Sequence, residues 1–208
     1  FIFAPSKRQV AAQQVYDITR RLPPEILTVG VFRDEHPDRV IDIVQRAGLK
    51  AAQLHGFESP EVVAQVAAQV RWVIKVVVAG TSDAARADRF GTDLIMVEGP
   101  NPGSGEVFDW TLFDDLPEGP RYILAGGLDP ENVGLAVSRL APWGVDVASG
   151  VERSRITRFS GSARSVSTWR FRRSAVGSSP SGFTVTMCDL GKCCRRKSFS
   201  NVATVVLP

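Results

Sequence analysis

Short apolar runs and amphipathic segments alternate along residues 1–154 with no linker between them. A strand followed by a helix, repeated in this way, is typical of parallel βα units. The apolar runs lie at residues 1–4, 27–32, 49–54, 72–78, 94–97, 121–125 and 145–148. Helices are predicted between them, at residues 10–22, 37–47, 60–69, 82–89, 108–113 and 130–140. The sequence therefore predicts an α/β fold with a parallel sheet.

Two of the apolar runs end in small residues beside a helix start, where backbone N–H groups are left unbonded. In a (β/α)8 barrel the phosphate site follows the last two strands, and glycine there permits close approach of the backbone. We therefore predict a phosphorylated substrate, bound at Gly126, Gly127, Ser149 and Gly150. The alternative for these residues is an ordinary helix cap or turn.

The sequence has 208 residues, whereas a complete (β/α)8 barrel has about 250. The first apolar run begins abruptly at Phe1, so we expect Phe1 to be a truncation point. The predicted fold is an α/β (β/α)8 TIM barrel that lacks its first βα unit, with its last helix expected after Glu152. Such an open barrel leaves strand edges unpaired, so we expect instability or aggregation.

No apolar run of the sequence is long enough to span a membrane. We also expect no signal peptide or transit sequence before Phe1. An apolar fraction of 44% supplies enough aliphatic residues for a core. We expect a cytoplasmic protein with no membrane partner.

The composition changes sharply near Ser154. Residues 155–208 hold eight Arg, two Lys and one Asp, a formal charge of +9 in a chain of net charge +3, which leaves −6 for residues 1–154. We therefore predict two segments: a partial TIM-barrel domain at 1–154, and a basic Ser/Arg-rich tail at 155–208 that is disordered or the product of a frameshift. Reading the encoding DNA in the other two frames tests the frameshift.

The basic tail leaves two further functions open. Cys188, Cys193 and Cys194 are crowded within seven residues, without the spaced pairs or nearby His of a zinc site, so no metal is predicted. Basic residues bind nucleic acid electrostatically, but an unstructured or out-of-frame tail is the preferred interpretation. We expect no nucleic-acid partner.

Several motifs along residues 1–154 occur in a fixed order. They are Ala4-Pro-Ser-Lys-Arg-Gln-Val10, Val29-Gly-Val-Phe32, Gln53-Leu-His-Gly56, Ile74-Lys75, Gly103-Ser-Gly105, Phe108-Asp-Trp110, Ala125-Gly-Gly-Leu-Asp-Pro-Glu-Asn132 and Val145-Asp-Val-Ala-Ser-Gly-Val151. Taken together, they resemble the phosphoribosylanthranilate isomerase family. The resemblance implies a (β/α)8 barrel in tryptophan biosynthesis, acting on a small phosphorylated substrate without cofactor or metal, as a monomer or homodimer.

The implied reaction converts N-(5-phosphoribosyl)anthranilate to 1-(2-carboxyphenylamino)-1-deoxyribulose 5-phosphate by an Amadori rearrangement. It needs an acid for the ring oxygen and a base for the proton on the neighbouring carbon. By resemblance, Glu98 occupies the place of the acid, where the family typically has Asp. The family's base is the cysteine of a Lys-Ile-Cys-Gly motif, which does not occur in residues 1–208.

The resemblance also implies four substrate-binding side chains. Arg8 matches the arginine that receives the anthranilate carboxylate, Gln53 and His55 point into the barrel mouth, and Asp146 faces the sugar hydroxyls. The alternatives are a solvated charge for Arg8, a structural role for His55 and a satisfied buried carboxylate for Asp146. Lys75 lines the pocket or neutralises a buried carboxylate, and the sequence leaves both open.

Three functions follow from these observations. The leading one is an isomerase, and it competes with a catalytically silent barrel that binds a phosphorylated ligand. The third is a nucleic-acid-binding protein that acts through its tail. Binding without turnover separates the second from the first, and a steep loss of affinity with salt identifies the third.

Overall fold

The computed structural model of the chain describes residues 1–101 and 107–147, together with the backbone of three short strands further on. By its contacts the chain forms two compact units. The first comprises Phe1–Pro100 and Thr111–Tyr122, and the second comprises Asn101–Trp110 and Ile123–Pro208. The predicted domain boundary at residue 154 lies outside the described residues.

The first unit contains four parallel strands that pair in chain order. They are β1 (Val29–Phe32), β2 (Ala51–Leu54), β3 (Trp72–Val78) and β4 (Leu94–Glu98). All four residues of β2 are buried, as are the central five of β3. Burial on both faces is characteristic of parallel strands covered by helices, and it explains their nearly continuous apolar sequences.

The predicted partial strand at residues 1–4 lies beside β1. Ile2 forms a parallel bridge with Val31, and the N–H of Phe3 donates to the carbonyl of Val31 at 2.9 Å. The ring of Phe3 stacks on that of Phe32, with centroids 5.2 Å apart. The chain therefore enters the first unit as an extended segment along the edge of β1.

Helices follow the strands in the first unit. They are α1 (Ala12–Thr19), α2 (Pro37–Arg46), α3 (Pro60–Ala67) and a 3₁₀ helix at Ala84–Phe90, with residues 111–113 of a second 3₁₀ helix at Trp110–Phe113. In α2 the His36 ring accepts a hydrogen bond from the N–H of Asp38, and Pro37 occupies the first turn. Its buried face carries Val40, Ile41 and Val44 against the sheet, at helical spacing.

Several predicted helices are shorter or tighter than expected. The helix predicted at 60–69 is formed over Pro60–Ala67, the one at 130–140 over Val133–Leu140, and the one at 108–113 as a 3₁₀ helix over Trp110–Phe113. The segment predicted at 82–89 is a 3₁₀ helix with non-helical dihedrals at Arg86. It ends at Gly91, because a φ of +62° is incompatible with continuation of a right-handed helix. The segment predicted at 10–22 is α-helical only over Ala12–Thr19. After it, the N–H groups of Arg21 and Leu22 bond three residues back, as in a tightening last turn.

The second unit contains β5 (Arg121–Ala125, of which it holds residues 123–125), α4 (Val133–Leu140) and β6 (Gly144–Val147). Strands β5 and β6 are parallel, with Ile123 opposite Gly144 and Ala125 opposite Asp146. Further on, β7 (Ser167–Phe171) pairs antiparallel with β8 (Phe183–Met187), and β9 (Ala203–Val206) pairs antiparallel with β6. None of the helices in the described residues is long and apolar enough to cross a membrane.

The buried leucine of β2 tests this core. Leu54 is 1% exposed and Leu135 of α4 is 65% exposed. We expect Leu54→Ala to lower the free energy of unfolding by about 2–5 kcal/mol, because it leaves a cavity. The matched Leu135→Ala change is expected to stay within about 0.5 kcal/mol of wild type. Urea denaturation measures both, and equal losses would contradict this arrangement of the core.

Candidate functional site

Three polar side chains meet at the carboxyl edge of the sheet in the first unit. Gln53 lies near the end of β2, His55 follows that strand directly, and Glu98 is the last residue of β4. The N–H of His55 donates to the carbonyl of Phe32 at 2.8 Å, which continues the β1–β2 ladder by one residue. Parallel strands present their carboxyl ends on the same side, so residues distant in the sequence meet there.

A chain of hydrogen bonds connects the three side chains. Gln53 Nε2 lies 3.2 Å from His55 Nδ1, and His55 Nε2 lies 3.2 Å from Glu98 Oε2. An amide nitrogen is a donor only, so Nδ1 accepts and a neutral imidazole carries its proton on Nε2. The imidazole therefore donates to Glu98. Gln53 selects the tautomer of His55 in this way, and His55 orients the carboxyl group.

The Glu98 carboxyl group keeps one oxygen available. Oε2 accepts from the imidazole, and Oε1 has no hydrogen-bond partner among the residues that the structure describes. The Glu98 side chain is 14% exposed and that of His55 is 33% exposed, so the group is sheltered but reachable. Such a carboxyl group can give or take a proton at Oε1 while its other oxygen is held.

A second carboxylate nearby is fully engaged. Glu58 Oε2 lies 2.8 Å from Lys75 Nζ, and both side chains are 2% exposed. Glu58 Oε1 also accepts from the N–H groups of Asp34 and Gly56, at 2.9 and 3.0 Å. Burial alone raises the pKa of Glu58, but the hydrogen bond and charge of Lys75, together with the Asp34 N–H, outweigh it. The pKa of Glu58 therefore lies below its ordinary value.

The loops around this ion pair are tightly packed. Asp34 has a φ of +51°, and its Oδ1 accepts from the N–H of Phe57 at 2.6 Å. A Cβ on Gly56 would lie 2.2 Å from Asp34 Oδ1 and 2.7 Å from the Asp34 backbone nitrogen. Only glycine fits at position 56, because the loop after β1 and the loop after β2 are in contact there.

The glycine loop of the second unit has backbone dihedrals that favour glycine. Gly126 and Gly127 follow β5 with φ values of +92° and +65°. Neither N–H donates to an acceptor within the part of the chain that the structure describes. Asn132 Nδ2 donates to the carbonyl of Gly127 at 2.9 Å, and Asn132 Oδ1 accepts from the N–H of Asp129. The Asn132 side chain therefore holds the loop in shape.

Comparisons with known proteins identify the family. Residues 1–156 match the model for N-(5'phosphoribosyl)anthranilate (PRA) isomerase. The N-(5'-phosphoribosyl)anthranilate isomerase of Desulforudis audaxviator is 42% identical over 156 residues, which cover 73% of this chain and 76% of that protein. This chain belongs to the phosphoribosylanthranilate isomerase family.

Solved members of the family share the fold. The isomerase from Thermus thermophilus superposes with a TM-score of 0.66 at 36% identity, covering 74% of this chain and 77% of that one. An isomerase in complex with reduced 1-(o-carboxyphenylamino)-1-deoxyribulose 5-phosphate gives 0.62 at 35% identity, covering 73% and 75%. The predicted fold class, an incomplete α/β (β/α)8 TIM barrel, is confirmed.

The structure brings three of the predicted site residues together. Gln53, His55 and Glu98 form one hydrogen-bonded group. Arg8 is exposed in the segment before α1, and its backbone N–H donates to Ser6 Oγ at 3.1 Å. Asp146 is partly exposed on β6. Ser149, Gly150, the Gly103-Ser-Gly105 motif, Cys188, Cys193 and Cys194 lie outside the described residues.

The structure resolves the alternatives for Lys75 and adds a residue that the sequence did not single out. Lys75 neutralises the buried Glu58 carboxylate. The signal was a lysine within the otherwise apolar strand Trp72–Val78, since a buried ammonium group requires an anion. Nothing in the sequence indicated which carboxylate would meet it. No group of His, Cys, Asp and Glu in the described residues is arranged to hold a metal ion.

The lowered pKa of Glu58 predicts how stability depends on pH. A group with a depressed folded-state pKa adds stability above its unfolded pKa and loses it as the pH falls through the folded pKa. We expect Glu58→Gln to cost about 3–5 kcal/mol near neutral pH. Between pH 4.5, the ordinary pKa of the group, and its lower folded-state pKa, the difference from wild type should shrink.

Denaturant unfolding over a series of pH values measures this difference. The matched control is Glu118→Gln, since Glu118 is exposed and is expected to follow wild type throughout. A Glu58→Gln difference that stays constant on acidification would contradict the prediction.

Proposed function

We propose that this protein isomerises N-(5-phosphoribosyl)anthranilate to 1-(2-carboxyphenylamino)-1-deoxyribulose 5-phosphate, in the cytoplasm, as a step of tryptophan biosynthesis. The observation that carries the proposal is the Glu98 carboxyl group, which is held at Oε2 by His55 and has no partner at Oε1 among the described residues. It lies at the carboxyl ends of parallel strands, where TIM-barrel enzymes have their active sites.

Glu98 is the general acid of the proposed mechanism. Its Oε1–H protonates the furanose ring oxygen, the bond between that oxygen and the anomeric carbon breaks, and a protonated Schiff base forms. The carboxylate left behind is stabilised by the N–H of His55, which already donates to Oε2. Loss of a proton from the neighbouring sugar carbon then gives an enolamine, which tautomerises to the ketose.

The base of the second step is not assigned to any residue in 1–208. The family resemblance implies that the base is the cysteine of a Lys-Ile-Cys-Gly motif in a first βα unit. The experiment for this function therefore supplies that unit.

The remaining assignments rest on the resemblance and on the local geometry of each unit. We assign the anthranilate carboxylate to Arg8, because a guanidinium binds it in a bidentate manner. The phosphate group is assigned to the N–H groups of Gly126 and Gly127, with Ser149 and Gly150. Gln53 keeps the tautomer of His55, and Asp146 binds sugar hydroxyls.

Complementation of a tryptophan auxotroph that lacks this isomerase tests the function. One strain carries the chain as it stands, and another carries it with a Lys-Ile-Cys-Gly first βα unit and a family-like last helix. Growth of the second strain, with or without growth of the first, supports the proposal. Growth of neither, with folded protein present in both, overturns it and favours a silent binder.

The acid role of Glu98 predicts a specific loss of turnover. In the version of the chain that complements the auxotroph, Glu98→Gln is expected to lower kcat by about 100-fold or more, since removing a general acid has effects of that order. Glu98→Asp, which restores the family's usual acid, is expected to remain within about tenfold of wild type. Steady-state kinetics with purified protein measures both, with Glu118→Gln as the control. Wild-type kcat in Glu98→Gln would remove Glu98 from the mechanism.

A further inference from the structure

The Lys75–Glu58 ion pair is expensive to bury. Both side chains are 2% exposed, and each must give up its hydration. Replacing such a pair by apolar residues of similar volume is often neutral or stabilising. Stability therefore gives no sufficient reason for an ion pair at this position, and its contacts point to another role.

The ion pair binds both polar groups of one residue, Gly56. The N–H of Gly56 donates to both Glu58 oxygens at 3.0 Å, and the carbonyl of Gly56 accepts from Lys75 Nζ at 2.6 Å. Gly56 is joined by its peptide nitrogen to His55. The backbone of His55 is thus fixed on its C-terminal side by the ion pair, and on its N-terminal side by the bond from its own N–H to Phe32.

Each member of the pair is itself held by a different element. Lys75 lies in the middle of β3, and its Nζ is 5.5 Å from the centroid of the Phe90 ring, a cation–π distance. Glu58 also accepts the N–H of Asp34, which follows β1. The peptide between His55 and Gly56 is therefore linked through the ion pair to β1, to β3 and to the 3₁₀ helix at Ala84–Phe90. These links leave it little freedom to shift.

From this geometry we propose that Lys75 and Glu58 are positioning residues that hold His55 in hydrogen-bond contact with Glu98. The imidazole bonds at both ring nitrogens, each at 3.2 Å, and both bonds require the ring in one place. A displacement of about 1 Å near the reacting groups lowers a rate by about 100-fold. The proposal builds on the proposed function, because it assigns the pair to the Glu98 acid.

The decisive variant is Lys75→Met/Glu58→Leu, which removes both charges together and keeps an apolar filling. The chain contains two histidines, so NMR of the imidazole nitrogens reads His55 with the exposed His36 as an internal reference. In wild type we expect His55 as the Nε2–H tautomer. In the double variant we expect a mixture of tautomers at His55 and no change at His36.

The exposed ion pair of α2 provides the matched control. Arg46 Nη1 lies 3.3 Å from Asp42 Oδ2, with side chains 72% and 56% exposed. The double variant Arg46→Met/Asp42→Leu is expected to leave the His55 signals unchanged. In the form of the chain that complements the auxotroph, Lys75→Met/Glu58→Leu should lower kcat by about 10- to 100-fold with KM within about twofold. This kcat is expressed per folded protein, because a merely destabilised variant loses activity only in proportion to its unfolded fraction.

The outcomes separate this proposal from the proposed function. A folded double variant that keeps a pure Nε2–H tautomer at His55 and wild-type kcat overturns the positioning role. A tautomer mixture at His55 in a protein whose wild-type form shows no isomerase activity supports the positioning role and overturns the function. If the double variant does not fold, Glu58→Gln keeps the side-chain shape and is read in the same way: a mixture supports the proposal, and a pure tautomer overturns it.

Discussion

A lysine ammonium buried in an apolar parallel strand must have an anion within reach, and this requirement organises the carboxyl edge of the first unit. Lys75 obtains its anion from Glu58, which belongs to the loop after the neighbouring strand. The same carboxylate accepts hydrogen bonds from N–H groups in two loops, and the lysine donates a hydrogen bond to a carbonyl in one of these loops. One buried charge pair therefore determines the path of the backbone that carries His55.

Two glutamates near this edge have opposite environments and different capacities. Glu58 is enclosed, saturated with donors and beside a cation, so that its pKa is lowered and it remains an anion. Glu98 is partly exposed and, among the residues that the structure describes, accepts one hydrogen bond, from the His55 imidazole to one of its oxygens. A saturated anion serves as a structural acceptor, whereas a carboxyl group with an open oxygen can exchange a proton.

The strands and the family motifs were accessible from the sequence, whereas the ion pair was not. Strand β3 has the predicted bounds because its run is apolar except for Lys75 and lies between Arg71 and the turn at Ala79 and Gly80. Helix α1 is shorter than predicted, since amphipathic spacing continues beyond the last residue that the backbone keeps helical. The resemblance indicated His55 and Glu98 as site residues, but Glu58 meets Lys75 only through the pairing of β2 with β3, which local pattern does not encode.

Because the side chain of Glu98 is longer than that of an aspartate, the position of its carboxyl group depends more strongly on the position of His55. Compared with an aspartate, Glu98 has one more rotatable bond, so its carboxyl group can occupy more positions. The bond from His55 to Oε2 selects among these rotamers and determines where Oε1 points. In the proposed arrangement the imidazole is in turn held through Gly56 by Lys75 and Glu58, so the position of the Glu98 carboxyl group depends on an ion pair that does not contact it. The additional rotamers that the longer Glu98 side chain could adopt are thus restricted by its hydrogen bond to a histidine that is itself held in place.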